Sequence, residues 1–191
     1  MQKYLQSSSI INWKHPKVFE KAKQLSENLT TEFDIAKSCF EYVRDEIKHC
    51  MDFPNDHVTC LASDVLKYQS GFCYAKSHLL AALLRANNIP TGLCYQRLTI
   101  SENQPPYCLH GLNAVWLQDY GWYRMDARGN NQTVFAEFTP PNEKLAYPIL
   151  TKGEADLPEI WPEPLSLVIN TLETCASNVD VANNLPDIEI I

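Results

Sequence analysis

Apolar positions in the first half of the chain recur at helical intervals. Pro16 stands where a first helical residue is tolerated, and Val18, Ala22, Leu25 and Leu29 follow at spacings of four, three and four. These form one face of a short helix. Thr31 and Asp34 have the spacing of a capping box with Asp in place of Glu. Ile35, Cys39, Val43 and Ile47 then repeat every fourth residue, which predicts a second helix ending near His49. Pro54, Asn55 and Asp56 mark a turn, and Leu61 to Tyr68 has the length of a short helix. From Cys73 to Asn87 the chain reads CYAKSHLLAALLRAN, with apolar residues on more than one face, until Asn87, Asn88 and Pro90 stop it. That pattern belongs to a helix buried on most sides.

After Pro90 the texture changes. Gly92 to Ile100, Leu112 to Gln118 and Trp122 to Ala127 are β-branched and aromatic runs separated by Pro, Asp and Gly turns. Helices followed by an antiparallel sheet predict an α+β fold in which the sheet packs on the Cys73 helix. Residues 1–139 form the expected core. Seven of the 12 prolines fall at or after Pro140, so residues 140–191 read as a Pro-rich extension, extended as far as Pro164. A final helix face of Leu165, Val168, Ile169, Leu172 and Cys175 would dock the extension on the core.

Composition narrows the partners. With 45% hydrophobic and 20% charged residues in a chain of 191, a full core is possible without disulfide or metal staples. A net charge of −7 with no basic run argues against nucleic acid and anionic membrane as partners. The start lacks a signal-type apolar region, and Leu79 to Leu84 is too short to span a bilayer, so a cytoplasmic protein is expected. Seven cysteines, an odd number, then point to reduced thiols.

Among these thiols Cys73 is distinctive because it opens a helix, where the macrodipole and unpaired N–H groups favour an anion. His110 and Asp126 fall at the edge or end of two successive predicted strands. If Gln118, Asp119 and Tyr120 form a three-residue turn, Leu112 opposes Asp126, and His110 becomes its diagonal neighbour on the same face. A two-residue turn would put them on opposite faces. A thiol nucleophile, an imidazole base and a carboxylate that orients the imidazole are the parts of a Cys-His-Asp triad.

The stretch GFCYAKSHLLAALLRANNIPTG, with HGLNAVWL and GWYRMDARG after it, resembles the transglutaminase-like superfamily over roughly Tyr42 to Asn131, in the manner of its bacterial cysteine protease domains. The resemblance implies a papain/transglutaminase-like core with Cys73 as nucleophile, His110 as base and Asp126 as orienting acid. It implies attack on a carbonyl, a thioester acyl-enzyme, and resolution by water or an amine. The expected substrate is a peptide, protein or other small amide, and no cofactor is called for. Many family members carry a Trp two residues after the His, where this chain has Leu112. No acidic loop of the calcium-binding kind is present. The oxyanion would take the Cys73 backbone N–H and one side-chain donor, with Gln69 and Gln96 as candidates.

Two other activities fit the same parts: acetyl transfer from coenzyme A in the manner of arylamine N-acetyltransferases, and peptide binding by a non-catalytic member of the fold. His49, Cys50, His57 and Cys60 sketch a metal pattern, but only His57 and Cys60 have a ligand-like spacing, so no metal is expected. His15, His49, His57 and His78 read as solvated or hydrogen-bonded side chains. Ser77, one turn behind Cys73, is a candidate to line the site, and one of Tyr95, Trp116, Trp122 and Tyr123 a candidate to wall it.

Overall fold

The helical spacings become helices where capping permits. In the computed structural model, which describes residues 1–55, 57–101 and 104–189, α1 spans Pro16–Leu25 and α2 spans Glu32–Glu46. Thr31 caps α2 by accepting from the Asp34 N–H, as the sequence spacing requires. Helix α1 stops before Leu29, because the chain turns through a left-handed Asn28. Helix α2 stops short of His49, because Lys48–His49 is drawn into a short strand, β1. Of the expected turn, Asp56 lies outside the described residues. Next come α3 (Ala62–Tyr68), β2 (Ser70–Gly71) and α4 (Cys73–Ala86). Strands β1 and β2 pair in parallel, His49 opposite Gly71, which ties the entrance of α4 to the chain leaving α2.

Every residue of α4 is buried, including Lys76, His78 and Arg85. Polar groups so placed need partners. The Lys76 ammonium donates to the Ile47 and Arg44 carbonyls at the end of α2. Arg85 donates to the carbonyls of Thr91, Gln6 and Pro162, tying the start of β3 and two distant segments to one helix. His78 bonds through Nδ1 to the Cys60 carbonyl at 2.8 Å.

The sheet has the order β5-β4-β3-β6, with β3 Thr91–Ser101, β4 Gln104–Leu117, β5 Gly121–Met125 and β6 Ala155–Asp156. Strand β4 begins at Gln104, well before the predicted Leu112. Its early part carries Pro105 and Pro106, which blunt the strand signal, yet it pairs with β3 along its length. The β4–β5 connection is the three-residue turn: Leu117 pairs with Gly121 and Asn113 with Met125. One sheet face packs on α4 through Leu93, Tyr95, Leu109 and Val115. The other face, at Cys94, Leu112 and Ala114, is covered by Leu145 and Ile160. Helix α5 (Ser166–Thr174) buries Val168 and Leu172 in the main core, and α6 (Asn178–Asn183) buries Val181. Among the described residues no helix is long and apolar enough to cross a membrane.

Gly111 of β4 sets the closest approach of sheet to helix. A Cβ there would lie 2.9 Å from Tyr74 Cδ1 and 3.1 Å from Tyr74 Cα. We predict that Gly111→Ala costs about 1–3 kcal/mol of unfolding free energy in urea titration, because backbone must yield; an unchanged midpoint would contradict the contact. A second prediction concerns acid. Burial first, opposed by the Cys60 carbonyl, lowers the His78 pKa from 6.5 to about 4. Between those values the unfolded chain binds a proton that the folded one does not, so stability falls on acidification. The loss should reach on the order of 3 kcal/mol by pH 4. His78→Leu should flatten that slope, and an equally steep profile in the variant would show that His78 does not titrate this way.

Candidate active site

Cys73 occupies the first turn of α4 because Phe72 is extended and the β1–β2 ladder holds the two residues before it. Gly71 is tightly enclosed there: a Cβ would sit 3.0 Å from both the Ala75 Cβ and the Thr59 Oγ1, so those side chains would have to yield. Above the thiol, Gly111 lets β4 descend until its N–H donates to Cys73 Sγ at 3.5 Å. The preceding residue, His110, faces the same pocket as Cys73.

Asp126 lies just past the end of β5, fully buried. Its Oδ2 accepts from His110 Nε2 at 2.7 Å and from the Ala146 N–H at 3.1 Å, and its Oδ1 accepts from the Arg128 N–H at 3.1 Å. With Nε2 engaged, the other ring nitrogen of His110 remains for the Cys73 thiol, which lines the same cavity. Burial by itself raises the pKa of such a carboxyl, but the His110 charge and the three donors outweigh it and hold Asp126 below the ordinary carboxylate value. For His110 burial acts downward, and the charges of Asp126 and Cys73 overcome it and raise its pKa. The structure therefore brings Cys73, His110 and Asp126 together.

Cys73 and His110, with Asp126 buried behind the imidazole, line a cavity of about 680 Å³. Leu98, Ile100, Leu109, Pro148, Leu150 and Leu185 give it an apolar wall. The candidate oxyanion donors Gln69 and Gln96 and the candidate lining residues are turned elsewhere. Gln69 is exposed and gives its amide to the Leu66 carbonyl and Tyr42 hydroxyl. Gln96 pairs with His110 in register, but its amide donates to the Tyr147 carbonyl and Asp156. The Ser77 hydroxyl turns back to the Cys73 carbonyl. Tyr95, Trp116, Trp122 and Tyr123 do not line the cavity; Tyr147 does, edge-on to His110 at 4.9 Å between ring centroids. His49 also lines it, and nothing in the helical spacing that led up to it pointed there. Its signal was the pairing partner Ser70–Gly71, legible only once the ladder is known.

The extension contributes directly. Ala146 and Tyr147 touch Asp126 and His110, Leu185 lines the cavity, and the Leu109 N–H donates to the Pro186 carbonyl at 2.7 Å. His57 stacks on Tyr68 at 4.0 Å, and Cys50 contacts Ser70, so the sketched metal pattern is dispersed. Among the described residues no group of three His, Cys, Asp or Glu side chains could hold a metal ion.

Residues 20–127 match the family model of the transglutaminase-like superfamily. Among solved structures, a "Putative Cysteine Protease" from Cytophaga hutchinsonii is similar at 18% identity and a TM-score of 0.52, over 65% of this chain and 40% of that one. The periplasmic domain of TgpA from Pseudomonas aeruginosa is similar at 19% identity and a TM-score of 0.48, over 65% and 45%. The matched region thus spans less than half the length of either solved chain. No curated protein matches. At this identity the first structure speaks for the fold, a papain/transglutaminase-like arrangement of helix and antiparallel sheet. With the family model covering more than half of its length, the chain belongs to the transglutaminase-like superfamily.

Proposed function

We propose that the chain is a cysteine-dependent amide hydrolase or acyltransferase, with Cys73 as nucleophile, His110 as base and then acid, and Asp126 as the group that orients the imidazole. The observation that carries this reading is the buried His110–Asp126 contact at 2.7 Å beside a thiol at a helix N-terminus, with His110 and Cys73 facing one cavity. Cys73 Sγ adds to the substrate carbonyl, His110 protonates the departing amine, and a thioester is left for water or a second amine to resolve. Asp126 keeps one imidazole nitrogen engaged and stabilises the imidazolium.

The apolar wall suits an extended peptide or another amide with an apolar acyl side. All seven cysteines are free thiols, which supports a reducing compartment such as the cytoplasm. Burial raises the other six thiols, with Cys39, Cys60, Cys94 and Cys108 pushed to about 12.

Site-resolved iodoacetamide labelling at pH 7 should therefore modify Cys73 at least roughly tenfold faster than any other thiol, and His110→Ala should remove that advantage. Equal labelling of Cys73 and the rest would sink the proposal. Once a substrate is in hand, Cys73→Ala should abolish turnover. Asp126→Asn should remain folded by circular dichroism with kcat reduced by about 10²–10⁴-fold. Full activity in Asp126→Asn would take it out of the catalytic set.

A further inference from the structure

An acyl-enzyme mechanism needs donors for the oxyanion, and the backbone N–H of Cys73 is one. Gln69 and Gln96 do not supply the side-chain donor, since their amides are committed elsewhere. Other polar residues also line the cavity. The Arg128 guanidinium is paired with Asp52, the Thr99 hydroxyl is bonded to Glu154, and Tyr147 stands against His110, on the base's side of the thiol.

His49 is different. It is 6% exposed, lines the cavity, and sits in register with Gly71, two residues before Cys73, on the nucleophile's side. Its Nδ1 accepts the Met51 N–H at 3.3 Å, so the neutral ring must carry its proton on Nε2. That nitrogen has no hydrogen bond to any described residue and is the free donor of the ring. Phe72 packs edge-on against the imidazole at 5.7 Å between centroids and fixes its plane. Burial first, then the charges of Arg128, Lys76 and His110, hold His49 well below the ordinary histidine pKa. It stays a neutral donor that does not repel the His110 imidazolium.

We propose that the Nε2–H of His49 donates to the oxyanion formed when the Cys73 thiolate adds to the substrate carbonyl, completing a hole whose other donor is the Cys73 backbone N–H. The assignment rests on the acyl-enzyme reading above. In the step, the sulfur lone pair forms the S–C bond and the carbonyl π pair moves to oxygen. Both donors bond to that oxygen without losing their protons. On collapse the pair returns, the C–N bond breaks, and the amine leaves with the proton from His110.

Two probes separate this role from activation of the thiol. Acylation by p-nitrophenyl acetate passes through an oxyanion, whereas alkylation by iodoacetamide displaces iodide at a saturated carbon and does not. In the full chain, His49→Ala should slow acylation of Cys73 by about 10²–10³-fold. Its alkylation should stay within about twofold of the unchanged protein, which also reports an intact fold. His49→Gln, whose amide N–H₂ reaches the position of Nε2, should recover at least about a tenth of the acylation rate. Unaltered acylation in His49→Ala, or a parallel fall in both reactions, would overturn the assignment. If the unchanged chain shows no Cys73-dependent acylation, the acyl-enzyme reading fails, and this one with it.

Discussion

A carboxylate with no exposed surface is tolerable only when its oxygens are filled, and Asp126 meets that condition with donors from three separate parts of the chain. The Arg128 N–H is local, the His110 imidazole comes from β4, and the Ala146 N–H comes from the extension. Losing any one would leave a buried charge short of a partner, so the strand, the turn after β5 and the extension are held to one geometry. The site and the fold thus depend on the same bonds. This is why the extension, which has little regular structure, helps to set the geometry of the site as much as helix α4 does.

Helix α4 applies the same economy in the opposite sense. A helix buried on every side has no solvent for its polar side chains, and its three large basic ones are spent on backbone carbonyls of other segments. Arg85 gathers the N-terminal stretch at Gln6, the start of β3 at Thr91 and the Pro-rich segment at Pro162. Lys76 caps the end of α2, and burial brings its pKa down to about 7. Position in the fold, more than residue type, decides what these side chains do.

How much of this was legible in the sequence follows from how local each feature is. The helices were readable because their periodicity and caps are contained within a few turns, Thr31 with Asp34 being the clearest case. The approach of His110 to Asp126 was readable because one turn of three residues sets the register of β4 on β5. The early half of β4 was not, since its prolines suppress a strand signal that β3 restores by pairing. His49 was hidden for a related reason: the fourfold spacing through Ile47 runs straight into it, and its partner Gly71 lies in a distant part of the chain. Ala146 contributes a backbone N–H, and a backbone donor leaves no mark in the residue types at all.

The bond from Leu109 to Pro186 has a consequence for the behaviour of the molecule in solution. Strand β5 covers β4 only from Asn113 onward, so the stretch before it presents a strand edge beside the thiol. The segment around Pro186 lies along that edge, with Asp187 gripped by Arg97 at 2.6 Å. Proline has no N–H to offer a further strand, and the acidic residue beside it adds charge. The edge of β4 nearest the thiol is therefore closed to the edge strand of another copy, and the chain guards against its own aggregation beside its largest apolar opening among those described.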